Sequence, residues 1–208
     1  MKCIFAIMAE ELNTEEKIKE VAASLFMKQG FAATKTRDIA EKAGINLALL
    51  NYYYRSKEKL FNKIMMEVIS VFMKSIFKIF QDEKTTLEEK FELIATKYID
   101  RIKSNPDIPN FILNELRSRP EEFFNKIIEG KKLQELYIYN QLVERMGEEK
   151  ARKINPIHIM MNLMSLTLFP FVGKPMLRLV TGVDNEQFNE MMEERKKLIP
   201  HWIMQMIS

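Results

Sequence analysis

The 208-residue sequence predicts an all-α fold, a small N-terminal three-helix unit followed by a larger helical domain. Three observations carry this expectation. Six Gly and seven Pro are too few to supply the turn residue that an all-β chain needs about every ten positions. Apolar residues recur at helical rather than alternating spacing along most of the chain. Capping residues fall where those periodic stretches begin and end. With 47% hydrophobic and 29% charged residues, the chain has material for one or two packed domains.

The opening Met1 to Ala9 is a short apolar stretch with one basic residue, and Glu10 and Glu11 follow at once, which is thin for a signal peptide. Residues 1–12 are therefore expected as a flexible arm. Thr14 then caps a helix with Glu15 and Glu16 in its first turn, apolar residues at Ile18, Val21, Ala22, Leu25 and Phe26, and Gly30 just past its end. Thr36 is read as the cap of a short second helix carrying Ile39, Ala40 and Ala43 and stopped by Gly44. Asn46 caps a third helix running to about Tyr54. Ser56 caps a long fourth helix from Lys57 to about Phe80, and Thr86-Leu87-Glu88-Glu89 is a capping box opening a fifth that ends near Ser104. Further helices are expected at 109–118, 120–146, 155–171 and 185–206, with Pro170 and Pro200 ending or kinking the last two.

Two short helices joined by a turn of about three residues containing Gly44 make a helix-turn-helix. Ala40 and Ala43 are small enough for the helices to cross closely, and Ile39, Ile45, Leu50 and Tyr54 close a miniature core. On a helical wheel Leu50 and Tyr54 share the inward face, which leaves Ala48 and Tyr52 outward with Leu49 and Asn51 on the flanks. Such an outward face suits the DNA major groove. The net charge of +3 also lies wholly at this end. Residues 1–63 hold 11 Lys/Arg against 8 Asp/Glu, while residues 64–208 hold 21 of each.

These residues carry a resemblance. Phe26-Met27-Lys28-Gln29-Gly30-Phe31, Thr34, Thr36 to Ile45, Leu50, Tyr53, Tyr54 and Ser56-Lys57-Glu58-Lys59-Leu60-Phe61 together resemble the TetR family of transcriptional regulators over about 50 positions. The resemblance implies a helix-turn-helix DNA-binding domain over residues 1–60 and a helical ligand-binding and dimerisation domain over residues 61–208. It implies that Thr36 and Arg37 meet a phosphate or a base edge, that Tyr52 and Tyr53 present hydroxyls to DNA, and that Lys57 contacts a phosphate at a helix N-terminus. Asn46, Leu47, Ala48 and Leu49 occupy the positions that approach the bases. Where the family commonly has Tyr, this chain has Asn51, a side chain able to pair with adenine N6 and N7. The apolar tip Leu47-Ala48-Leu49 can touch thymine methyls but donates no hydrogen bond.

By the same resemblance the chain is expected to be a homodimeric repressor of the cytoplasm that binds a palindromic operator in double-stranded DNA and is released by a small apolar effector. The second domain is rich in Met and Phe, residues suited to an adaptable apolar cavity. Met65, Phe111, Tyr137, Met161 and Met164 are the expected lining. The segment Ile157 to Phe169 is apolar nearly all round, which a helix requires only when covered on two sides. With Phe188, Met191, Met192, Ile199, Trp202, Ile203 and Met206 it is expected to dimerise through the last two helices. The alternative left open is a helical dimer that binds an apolar ligand or a protein partner without specific DNA binding.

Enzyme classes find no support in the sequence. It contains no Gly-rich phosphate loop and no nucleophile elbow, and one Cys and two His form no spaced ligand cluster. Acidic pairs such as Glu88/Glu89 and Glu148/Glu149 sit at helix starts, where they complement the helix dipole. No catalytic residue, cofactor or metal is therefore expected. No apolar run approaches the roughly 18 residues of a membrane span, so no membrane association is expected either.

Overall fold

The computed structural model describes the backbone of residues 2–118, 121 and 132–208, and the side chains of residues 13–118, 121 and 132–208. The arm expected over residues 1–12 lies outside the described side chains. The chain divides into two compact units, Met1–Ile69 and Ser70–Ser208. The division falls beyond residue 60 because the first turns of the fourth helix bury Leu60 and Ile64 in the core of the N-terminal unit.

In that unit, α1 (Lys2–Ala33) starts upstream of Thr14 and is broken at Gly30, whose φ of 77° and ψ of 169° lie where side chains clash. Next come α2 (Thr36–Ala43) and α3 (Leu47–Tyr54). The expected cap at Thr36 is displaced by one position. Thr36 is the first helical residue, and the N-cap is Lys35, which makes no side-chain capping bond. The expected cap at Thr14 is not one either, since Thr14 lies inside α1, whereas the signals at Asn46 and Gly44 appear as read. Asn46 accepts from Leu49 N at 2.8 Å, and Gly44 takes the left-handed φ of 68° that lets Ile45 N return to Ala40 O at 3.0 Å. Ile18, Ala22, Ile39, Ala43, Leu50 and Leu60 are buried together, each of the larger ones contributing about 1.5–3 kcal/mol.

Helix α4 (Lys57–Gln81) begins in the first unit and ends in the second. The second unit continues with α5 (Leu87–Ser104) and α6 (Ile108–Ser118), a short 3-10 turn at Leu133–Glu135, and α7 (Tyr137–Met146). Four helices follow: α8 (Glu148–Lys153), α9 (Ile157–Val172), α10 (Lys174–Thr181) and α11 (Asn185–Ile207). Among the described residues there is no strand. The capping box at Thr86 and Glu89 is complete, and α5 packs along α11 through Phe91, Ile94, Tyr98, Ile199 and Ile203.

Three expectations need correction. The helix expected over 120–146 is interrupted, since Lys132 and Leu136 are extended and Leu136 is turned into the core; residues 120 and 122–131 of that stretch lie outside the described residues. Pro170 does not end its helix. Leu166 O, the carbonyl that a residue-170 N–H would serve, accepts from Arg195 Nη2 at 2.7 Å, and the turn comes instead at Gly173, where α10 departs at 68°. Pro200 likewise lies inside α11, buried with Ile199 and Ile203, and packing of that face carries the helix past it. No single described helix is long and apolar enough to cross a membrane.

Candidate nucleic-acid interface

The turn that places α3 is built from local chemistry. Gly44 reverses the chain, Asn46 caps α3, and Leu50 and Tyr54 pin its inner face. Tyr54 is the deepest of the three consecutive tyrosines. Its hydroxyl donates to Glu15 O at 3.1 Å, and burial raises the phenol well above its usual pKa. Lys63 completes this corner, paired with the Glu15 carboxylate at 2.6 Å and 5.5 Å from the Tyr54 ring.

That anchoring decides what α3 shows to solvent. Asn46, Leu47, Ala48, Asn51 and Tyr52 are exposed, Tyr52 by 72%, and Leu49 and Tyr53 are half-buried beside them. The Tyr52 and Tyr53 rings meet edge to face with centroids 5.4 Å apart, so each limits where the other's hydroxyl points. Arg37 is exposed and Thr36 half-buried at the start of α2. None of the ten residues expected to meet DNA is buried.

Lys57, expected to contact a phosphate, is held by backbone carbonyls of its own chain. Its ammonium donates to Phe31 O and Thr34 O, each at 3.0 Å, and stands 4.1 Å over the Phe31 ring. It therefore closes the C-terminal end of α1 and holds the segment leading into α2. An ammonium has three N–H donors, so two carbonyls leave one for a phosphate. The N-terminus of α4 is also partly occupied. Ser56 Oγ accepts from Lys59 N at 3.2 Å, and bonds from its own backbone N–H and from Ser56 hold the Glu58 carboxyl below the usual range.

Sequence reasoning missed Arg55. It lies between α3 and α4 with φ 56° and ψ −36°, the one non-glycine residue with positive φ among those described. Ser56 N reaches Tyr54 O at 2.5 Å, so Arg55 is the centre of a strained three-residue turn and carries an exposed cation three positions after Tyr52. No composition signal marks such a residue, because the strain exists only once both flanking helices are fixed.

The five expected ligand residues are divided between the two units. Met65 belongs to the N-terminal unit and is buried there. In the C-terminal unit Phe111 is buried on α6, Tyr137 is half-buried 5.5 Å from Lys90 Nζ, Met164 is half-buried on α9, and Met161 is 57% exposed. A cavity of about 430 Å³ lies instead among α9, α10 and α11, lined by none of the five.

Residues 18–64, which contain α2, the turn and α3, match the family described as bacterial regulatory proteins, tetR family. Among curated proteins, the chain is 23% identical over 164 residues to the "Probable HTH-type transcriptional regulator YttP" of Bacillus subtilis, covering 78% of this chain and 79% of that protein. It is 27% identical over 152 residues to the HTH-type transcriptional regulator QacR of Staphylococcus aureus, covering 71% and 69%. Among solved structures, one described as a TetR-family transcriptional regulator from Mesorhizobium loti shares the fold, with a TM-score of 0.53 at 15% identity over 94% of this chain and 97% of that one. The match falls on the unit whose outward face is described above, and residues 18–64 are a regulatory domain of the tetR family.

Proposed function

We propose that the protein is a homodimeric, ligand-responsive repressor that reads a palindromic operator with α3 and releases it when a small apolar effector binds the C-terminal unit. One observation carries the reading. Leu50 and Tyr54 are fully committed to the core, while Asn46, Leu47, Ala48, Asn51 and Tyr52 form an exposed strip on the same two turns of helix. In this reading Asn51 pairs with a base, Leu47 and Ala48 meet thymine methyls, and Arg37, Tyr52, Tyr53 and Lys57 hold phosphates.

Dimerisation is supported by the outer faces of α9 and α11. Met161 and Val172 are exposed on α9, and Leu198 and Met206 on α11. The two faces adjoin, since Asn162 Nδ2 lies 3.4 Å from Met206 Sδ. Four of the residues expected at this interface, Phe188, Met192, Ile199 and Ile203, are spent on the protein's own core. Helix α4, continuous from Lys57 to Gln81, is the element shared by the two units. A ligand that shifts its course alters the spacing of the two recognition helices, which must match half-sites about 34–36 Å apart or a multiple of that.

Electrophoretic mobility shift against genomic fragments at moderate salt tests the reading. A discrete retarded fragment is expected, with altered fragment preference for Asn51→Ala. No retarded fragment at micromolar dimer overturns it.

A further inference from the structure

The walls of the cavity among α9, α10 and α11 are mostly apolar, with Phe169, Leu177, Phe188 and Met192 facing it. At about 430 Å³ it falls within the roughly 300–1,000 Å³ of small-molecule sites. The ionisable groups on its wall are two guanidiniums, Arg178 from α10 and Arg195 from α11, and no acidic residue lines it. Among the described residues neither arginine has a carboxylate partner.

Both arginines are tethered by a backbone carbonyl, which fixes where their remaining donors lie. Arg178 Nε donates to Val183 O at 3.1 Å, and Arg195 Nη2 donates to Leu166 O at 2.7 Å. Arg195 Nε is buried without an acceptor, an unfavourable state for a donor on a charged group. A third cation stands close by. Lys174 Nζ lies 4.6 Å over the ring of Phe188, a wall residue, and burial together with the charge of Arg178 pulls its ammonium below the usual lysine range. Burial likewise lowers Arg195. Three cations around an apolar hollow, with Lys174 and Arg178 repelling each other and a buried unpaired donor on Arg195, favour an anion there. Apolar walls admit that anion only if it carries hydrocarbon, and the planar guanidinium fork matches a carboxylate.

We propose that this cavity binds an anionic amphiphile, a carboxylate on a linear hydrocarbon chain, with its headgroup held by Arg178 and Arg195 and its chain against Phe169, Leu177, Phe188 and Met192. The assignment rests on the reading of the C-terminal unit as a ligand sensor and names the chemistry of the ligand. It also has a built-in reporter. Arg195 stands 5.3 Å from the ring of Trp202, the single tryptophan of the chain, so a headgroup that engages Arg195 changes Trp202 emission.

The test is calorimetric titration of the full chain with decanoate, decanol and decyltrimethylammonium, each below its micellar concentration, with Trp202 emission followed in parallel. Decanoate is expected to bind saturably and shift the emission, and decanol to bind at least tenfold more weakly. Arg178→Gln, a change at an exposed residue that leaves the fold intact, should weaken decanoate about tenfold without affecting decanol. Arg195→Gln should do the same, with a thermal melt to confirm folding. Equal affinity for decanoate and decanol, no saturable binding, or unchanged decanoate binding in Arg178→Gln and folded Arg195→Gln overturns the assignment. Mobility shift with decanoate separates this outcome from the wider reading. Selective binding that leaves DNA affinity unchanged keeps the site and defeats the sensor reading, whereas DNA release by a neutral apolar compound without decanoate binding does the reverse.

Discussion

Arg195 donates from Nη2 to the backbone carbonyl of Leu166 at 2.7 Å, across 29 positions of sequence, and thereby serves the oxygen that Pro170 leaves without an intrahelical donor. The proline is kept in the last turn of α9 by a side chain from α11. Arg195→Met is expected to destabilise the protein by about 1.5–3 kcal/mol, the range for a hydrogen bond to a charged group, toward the lower end because the arginine is only half-buried. Pro170→Ala returns an N–H to Leu166 O, so the loss on Arg195→Met should be smaller in that background by about 0.5 kcal/mol or more. Denaturant unfolding of the four proteins measures the coupling, and strictly additive losses would show that the bond does not compensate for the proline.

Lys57 gives a second prediction, with two readouts from one substitution. Because its ammonium holds Phe31 O and Thr34 O, Lys57→Met should lower stability in the absence of DNA by about 1.5–3 kcal/mol. If its third donor holds a phosphate as proposed, the slope of log affinity against log salt should also fall by about one unit. Thermal unfolding and fluorescence anisotropy across a salt series report the two effects separately. Unchanged stability contradicts the anchoring role, and an unchanged slope removes Lys57 from the phosphate contacts.

Arg55 sets stability against binding. Backbone strain of this kind amounts to about 1–3 kcal/mol, and Gly adopts the conformation without it at an entropic loss of about 0.5–1 kcal/mol. Arg55→Gly should therefore raise the unfolding midpoint while weakening DNA binding through loss of an exposed cation between α3 and α4. A variant less stable than the parent, or one with undiminished DNA affinity, would mean that the turn is not strained for function.

The α5–α11 seam carries an acid-sensitive cluster. Glu193 accepts from Lys103, and from Lys196 at 2.6 Å, while Lys196 also pairs with Asp100 at 2.5 Å. Hydrogen bonds from Lys103 and Lys196 hold the Glu193 carboxyl below its ordinary range. Its folded-state pKa is thus lower than its unfolded one, so the contribution is present above about pH 4.3 and is lost as pH falls below it. For a surface cluster the size is about 0.2–1 kcal/mol and diminishes in high salt. Stability of Glu193→Gln between pH 6 and 3 should fall less steeply than that of the parent, and parallel curves would contradict this.

The helix-turn-helix was legible because its signals are short-range. Asn46 caps a residue three positions on, Gly44 turns the chain within one helical end, and Leu50 and Tyr54 share a face by periodicity alone. Helix α10 was missed although its signals are of the same kind, Pro175 in the first turn and Gly182 left-handed at the end. Its pattern is only eight residues long, and the apolar face of α9 drew the reading past it. The expected ligand residues and the lining of the cavity among α9, α10 and α11 differ for another reason. Met and Phe spacing identifies apolar helix faces but not which of them face a hollow, and the residues that distinguish the cavity are arginines.

Caps, turns and 3.6-residue periodicity act over a few positions, and they suffice for the helical class, the helix-turn-helix and the outward residues of α3. Packing between distant segments settles that Lys57 serves carbonyls 23 and 26 positions away, that Pro170 persists within a helix, and that Arg178 and Arg195 share a wall. Those outcomes depend on which long-range partners satisfy a buried donor or carbonyl. That demand arises only after the helices have packed and water has been excluded.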